Sequence, residues 1–285
     1  MTQDRNNTVS ASVMELMRCP HCRGDLAREG RDLICRGCAR RYELHDGIPL
    51  LAQSGSSEQW GSPSDGVTSV AYQGSFQKSG IGERYRWRYQ RRWFKRCTTR
   101  REIGRIERLL ASQPRCGRLL DIPCGGGRVS GPFAAATDLL LQADLSLDQI
   151  LMARRIMGSQ GRVVWFTASA FMIPLKDGAV DGVICNRLMH HLPPGVEQER
   201  AIHELLRVSA RFVIVSYYDH DSFKSLGRRI RGRHRGHTLR RRDLRALAER
   251  GGAFVEVDVP LWCGGSRLRY ALLRKSIGPP TAPDP

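Results

Sequence analysis

The sequence predicts an α/β fold: a Rossmann-like, doubly wound sheet of seven strands, with a small metal-stapled module ahead of it. Three observations predict it. Apolar runs of strand length alternate with helix-length segments between residues 117 and 273, the pattern of a parallel sheet covered by helices. The first such run, Leu119-Leu120, ends in Asp121 and breaks into Ile122-Pro123-Cys124-Gly125-Gly126-Gly127-Arg128, a strand leading into a glycine turn. Near the N-terminus, Cys19-Pro20-His21-Cys22 and Cys35-Arg36-Gly37-Cys38 stand twelve residues apart.

Residues 1–17 are polar at their start (Asp4, Arg5, Asn6, Asn7) and lack the apolar stretch of a signal peptide, so they are expected to form a flexible arm. Residues 18–52 form the metal module. Each Cys-x-x-Cys makes one knuckle, and two knuckles place four thiolates, Cys19, Cys22, Cys35 and Cys38, around a tetrahedral Zn2+. The segment between them is too short and polar for a core of its own, so metal binding supplies its folding free energy. Leu33-Ile34 and Tyr42 suit short strands, and Gly24, Asp25 and Gly30 suit turns. Four protein ligands leave no position for water, so the zinc is structural. A disulfide pair is the competing reading. It fits poorly with a chain whose other cysteines, Cys97, Cys116, Cys124, Cys185 and Cys263, are scattered like reduced thiols of a cytoplasmic protein. His21 is expected to be solvated.

Residues 53–70, rich in Ser, Gly and Pro, are expected to be a linker, and 278–285 a disordered tail. The net charge of +18 is concentrated in two blocks. The first, within a helical segment 71–116, interleaves Arg84, Arg86, Arg88, Arg91 and Arg92 with Tyr85, Trp87, Tyr89 and Trp93. Two readings stand side by side: an RNA-binding helix with stacking aromatics, or an amphipathic helix whose aromatics pack inward. The second block, an insertion at 224–242, holds Arg228, Arg229, Arg231, Arg233, Arg235, Arg240, Arg241 and Arg242. Gly227, Gly232 and Gly236 make its first part a loop in this reading. Charge of this density favours an anionic partner. No stretch is long and apolar enough to span a bilayer.

In the core, 117–277, strands are expected at 138–143, 162–166, 180–185, 212–216, 254–259 and 267–273, with helices at 147–157, 197–208 and 240–250. The glycine turn is neither a dinucleotide fingerprint nor a phosphate-cradling loop: Val129 and Ser130 stand where a third spaced glycine belongs, and no Gly-Lys-Ser/Thr follows. Asp121 followed by Gly125 and Gly127, with Asp144 ending the second strand, resembles motif I and its sequel in the class I S-adenosylmethionine-dependent methyltransferases. The resemblance covers roughly residues 117 to 217. It implies S-adenosylmethionine as methyl donor, held by Asp121, Cys124, Gly125 and Gly127, with Asp144 on the ribose hydroxyls, Ser169 on the adenine side and Asn186 lining the donor pocket. Pro123 stands where that family usually has glycine, and Ser169 near where it often has an aspartate. His190 and His191 are the candidates for a general base, against a packing role after the fourth strand. Cys185 sits in an apolar strand and suits a buried small hydrophobe. The ribbon, ending in Asp46-Gly47-Ile48-Pro49-Leu50-Leu51, resembles that of a small activator subunit of methyltransferases. It also resembles the ribbon fused ahead of the core in bacterial 23S ribosomal RNA guanine-N1 methyltransferases. Charge and domain order together imply a methyltransferase acting on RNA. A small-molecule, lipid or glycan acceptor is the alternative, and a non-catalytic RNA-binding or activator protein is the reading from another class. The sequence leaves the oligomeric state open.

Overall fold

The computed structural model describes residues 11–52, 93–158, 162–230, 236–263 and 265–276. A short helix, α1 (Ala11–Met14), leads into a four-stranded antiparallel ribbon: β1 (Leu26–Glu29), β2 (Asp32–Cys35), β3 (Arg41–His45) and β4 (Ile48–Pro49). The core opens on α2 (Trp93–Ala111) and continues through β5 (Cys116–Asp121), α3 (Gly131–Ala135), β6 (Thr137–Asp144), α4 (Leu147–Met157), β7 (Val163–Thr167) and β8 (Val180–Cys185). A 3-10 turn at Met189–His191 follows, then α5 (Val196–Val208), β9 (Ser209–Tyr218), α6 (Phe223–Ile230), α7 (Arg241–Arg250), β10 (Ala253–Pro260) and β11 (Leu268–Lys275).

The seven core strands lie in the order β10-β11-β9-β8-β5-β6-β7. Strand order reverses between β5 and β8, and ligands of open α/β sheets bind in the crevice outside the strand ends at such a switch. The middle strands are buried on both faces: Leu119, Leu120, Val183, Ile184 and Val213 are at most 1% exposed. That is why β8 is a nearly unbroken apolar run. Gly182 is required in it, since a Cβ there would lie 2.2 Å from Phe212 Cζ on β9.

Three expectations need correcting. The sheet is mixed, because β11 runs antiparallel to both β9 and β10. β10 and β11 are joined by a loop rather than a crossover helix, which permits only the antiparallel arrangement. Residues 223–230, expected to begin a loop, are the helix α6 with Gly227 inside it; Ser222 accepts from Ser225 N and nucleates its first turn. Residues 11–17, expected to be a free arm, pack on the core: Val13 and Met17 are 2% and 0% exposed, and Met17 bridges to Leu175. The linker 53–70, the tail 278–285 and residues 84–92 of the first basic block lie outside the described residues.

The ribbon is joined to the sheet edge. Arg18 N donates to Pro174 O and Lys176 N to Leu16 O, at 3.0 and 2.9 Å. Leu50 bridges in parallel to Thr167 at the end of β7, and Ala52 N donates to Thr167 Oγ1 at 3.0 Å. Arg23, beside the first knuckle, pairs with Glu204 of α5 at 3.2 Å. The ribbon thereby covers an edge strand that would otherwise present unpaired backbone.

Candidate donor pocket and ribbon metal site

Local chemistry at the end of β5 builds the first half of the pocket. Asp121 is fully buried; it accepts from Ser130 Oγ, and from Gln142 Nε2 at 3.4 Å, while its Oδ1 has no hydrogen-bond partner. Burial outweighs those two bonds and pushes its carboxyl up to about 7. The Ile122–Pro123 peptide is cis. The turn then relies on glycine twice. Gly125 has φ +54° and nothing within 4 Å of where a Cβ would stand, so the space before it is open. Gly127 has φ +70° and approaches α4 so closely that a Cβ would lie 3.1 Å from Ala153 Cα.

Asp144, ending β6, ties the turn to the second strand. Its Oδ2 accepts from Gly125 N at 2.9 Å and its Oδ1 from Ser146 N at 3.0 Å. Burial raises this carboxyl to about 6, against the pull of the Ser146 and Gly125 amides. Each oxygen still has a lone pair for a ligand hydroxyl. Ser169 is 9% exposed, and its Oγ accepts from Phe171 N at 3.3 Å. Cys124 lines the turn as a buried thiol and packs with Ile150, Ala153 and Ile48. Ile48 is a ribbon residue, so the ribbon's last strand supports the glycine turn directly.

Behind β8, Asn186 Oδ1 accepts from Ser216 Oγ and Tyr270 OH, both at 3.0 Å. Arg187, at φ +66°, turns back toward α2. There Glu102, fully buried, takes Arg187 through Nε at 2.9 Å and through Nη2, and Arg128 through Nη1 at 2.7 Å. Arg128 directly follows Gly127, and Arg187 directly follows Asn186. One carboxylate on α2 thus fixes both halves of the pocket. Sequence reasoning missed Glu102; its only signal was a carboxylate within a run of arginines.

The two histidines sit together with Tyr218. The His190 ring lies 4.0 Å from His191 and 4.3 Å from Tyr218. Arg267 covers the Tyr218 ring at 4.2 Å, and Arg187 Nη1 donates to its hydroxyl at 3.2 Å. Burial first, then His191, Arg187, Arg267 and His237, holds His190 neutral, its proton affinity lowered to about 2. His191 is lowered to about 4 by burial first, then by Arg187 and His237. A base that weak is poorly matched to neutral pH. The chamber is cationic, and an anion bound in it would raise both rings. Cys185 is buried and its thiol is pushed up by burial, so it stays protonated in the strand.

The four ribbon sulfurs lie within 4.8 Å of one another, with Cys22 and Cys35 3.3 Å apart and Cys19 and Cys38 3.7 Å apart. A tetrahedral zinc with Zn–S near 2.3 Å needs sulfur separations of about 3.8 Å, which this set meets. Amides already point at the sulfurs: Gly37 N and Cys38 N at Cys35, and His21 N at Cys19, at 3.3 to 3.4 Å. Gly24 leaves room for them, since a Cβ there would lie 3.1 Å from Cys35 Sγ. His21 is exposed. None of the nine cysteines is in a disulfide.

Comparison with known proteins agrees with both halves. A family profile for methyltransferase domains matches residues 120–211, and one for Trm112p-like proteins matches residues 11–47. A UPF0434 protein of Methylobacillus flagellatus is 34% identical over 47 residues, 16% of this chain and 78% of that protein. A UPF0434 protein of Coxiella burnetii is 39% identical over 41 residues, 14% of this chain and 73% of its own length. Magnesium protoporphyrin IX methyltransferase from Synechocystis PCC 6803, solved with bound SAH, superposes with a TM-score of 0.61 at 18% identity. That match covers 73% of this chain and 99% of the other. N-methyltransferase NodS from Bradyrhizobium japonicum WM9, in complex with S-adenosyl-l-homocysteine, gives 0.56 at 14% identity, with the same coverage of 73% and 99%. At these identities the likeness is one of fold.

Proposed function

The chain belongs to the S-adenosylmethionine-dependent methyltransferases by its core and to the Trm112p-like, UPF0434-type ribbons by its N-terminus, and from that premise we propose that it methylates a compact anionic acceptor. The observation that carries the reading is the open, positive-φ turn at Gly125, flanked by the buried carboxyls of Asp121 and Asp144 at the switch point of the sheet. Those residues fit a donor with a ribose diol and a positive charge. Asp144, oriented by the Gly125 amide, would hold the ribose, Asp121 would answer the positive charge, and Ser169 and Asn186 would flank the adenosine and the reacting end.

S-adenosylmethionine, when bound, supplies a methyl group already activated on a sulfonium. The protein's part is then to align the acceptor for in-line displacement and keep water out. Arg267, stacked on Tyr218, would face the acceptor's negative group, while Arg187 stays fixed by Glu102 and neutral His190 and Tyr218 would pack against the acceptor's body. A small or amphiphilic acceptor suits this chamber. The RNA reading drew on net charge, but many described arginines are engaged within the chain. Arg128 and Arg187 pair with Glu102, Arg207 with Glu204, Arg269 with Asp258 and Arg250 with Glu199. RNA remains the second reading, favoured by the resemblance of the ribbon. Reduced thiols throughout the chain suit a cytoplasmic location. Among the described residues no helix is long and apolar enough to cross a membrane.

The test is label transfer. Protein and methyl-labelled donor are added to extract from cells lacking the gene, and RNA, protein and organic-soluble fractions are separated. Label in the low-mass or organic fraction is expected. Label lost on ribonuclease treatment would establish the RNA reading, and no transfer to any fraction would contradict both.

A further inference from the structure

The helix α6 is turned inside out. Ser222, just ahead of it, and Ser225, within it, are 7% and 3% exposed, whereas Phe223 and Leu226 are 82% and 47% exposed. A surface helix ordinarily buries its apolar stripe and hydrates its hydroxyls. Here the hydroxyls decide the orientation. Ser222 Oγ and Ser225 Oγ both donate to Asp219 O at the end of β9, at 3.1 and 2.5 Å. Those bonds turn the opposite side, with Phe223 and Leu226 three residues apart, toward solvent. The Phe223 ring rests over Gly265, where a Cβ would lie 3.2 Å from Cδ2. Single exposed apolar side chains are ordinary, but a pair on a helix that buries serine instead is not.

Basic residues dominate the sequence through and after this helix, residues 231–235 among them lying outside the described residues. By sequence, residues 223–242 carry Lys224, Arg228, Arg229, Arg231, Arg233, Arg235, Arg240, Arg241 and Arg242, and no acid. Arg240 and Arg241 reach Asp221 and Asp219 only at 4.0 and 3.8 Å and stay 39% and 50% exposed. A short helix with Phe and Leu on its outer face, set in a run of basic residues, has the chemistry of an interfacial membrane helix. The apolar pair enters the headgroup–acyl boundary while the cations meet lipid phosphates. RNA is served less well: Leu226 has no ring to stack on a base, and Phe223 is the only Phe, Tyr or Trp in the run.

We propose that α6 is a docking helix for an anionic membrane surface. It follows the carboxyl end of β9, the same side of the sheet as the donor pocket, so docking brings the acceptor chamber to the lipid plane. The inference rests on α6 and the basic residues that follow it and goes beyond the methyl-transfer reading; either can fail without the other.

The experiment is vesicle flotation of the full, zinc-loaded chain, with phosphatidylcholine alone and with added phosphatidylglycerol. Binding is expected only to the phosphatidylglycerol vesicles, and it should weaken as salt is raised. The double variant Phe223→Ser/Leu226→Ser should bind about tenfold more weakly or worse. Its melting temperature and S-adenosylhomocysteine affinity should be unchanged. In a Phe223→Trp variant, emission should shift to shorter wavelength on these vesicles. No binding to phosphatidylglycerol vesicles, or equal binding by the double variant, overturns the proposal. So does Phe223-dependent binding of a single-stranded RNA oligonucleotide without vesicle binding, which would reassign the surface to RNA.

Discussion

Replacing Glu102 by alanine should unlatch the donor pocket from helix α2. Glu102 has no exposed surface, and its two partners, Arg128 and Arg187, have side chains only 15% and 20% exposed. The alanine leaves two largely buried guanidiniums facing each other with no anion between them. Burial works against the Arg187 charge, and Glu102 is the main group that restores it. Removing one partner of a buried ionic network costs about 3–5 kcal/mol. That is a large share of the roughly 5–15 kcal/mol that holds a domain folded. Urea unfolding followed by circular dichroism should show the unfolding free energy fall by that amount, the midpoint dropping with the slope unchanged. Glu102→Gln, which keeps acceptor oxygen but loses charge, should lose about 1–3 kcal/mol. Because Arg128 adjoins Gly127, affinity for S-adenosylhomocysteine should fall too. A loss below about 1 kcal/mol for Glu102→Ala would refute the claim that this triad organises the pocket.

Three further outcomes follow from the same geometry. Asp121 and Asp144 have folded-state carboxyls raised to about 7 and about 6, so their folded forms hold protons that the unfolded chain releases near pH 4. Their contribution to stability is therefore fullest below about pH 4 and is lost as pH rises through 6–7. A cationic donor favours the ionised forms, so its affinity should rise from pH 5 to about 7.5 with proton release, measured by calorimetry in buffers of different ionisation heat; affinity independent of pH would count against it. Gly127→Ala combines the strain of φ +70° with a 3.1 Å approach to Ala153, and should cost about 1–3 kcal/mol and most donor binding. Removing zinc with a chelator, or Cys35→Ser, should melt the ribbon and release Ile48 from Cys124 and Ile150. Zinc content, melting temperature and donor affinity should fall together; donor affinity intact in zinc-free protein would show that the ribbon does not support the turn.

Much of this was legible in the sequence wherever a local pattern decides the outcome. The helix at 147–157 and the strand at 180–185 were read to the residue, because an amphipathic repeat and a short apolar run are each set by their own side chains. The Cys-x-x-Cys pairs and the acid–glycine turn were legible because metal geometry and a positive-φ turn admit few residue types. What escaped depends on contacts distant in the chain. Glu102 meets Arg187 across 85 positions, and no periodicity marks such a pair. The reversed direction of β11 is set by how the chain returns to the sheet, not by its composition. Gly227 reads as a loop residue by type, but the serine bonds to Asp219 O hold the helix around it. The arginine blocks misled in another way, since net charge does not distinguish an arginine paired to Glu204 or Asp258 from one waiting for a ligand.

The central claim is that Asp121, the glycine turn and Asp144 form a methyl-donor site. Titration calorimetry of S-adenosylhomocysteine into the zinc-loaded protein, beside its Asp144→Ala variant, tests this most directly. The account predicts saturable one-to-one binding that the variant, still folded by circular dichroism, loses by at least about tenfold. No binding to the unaltered protein, or equal affinity in the variant, would contradict it.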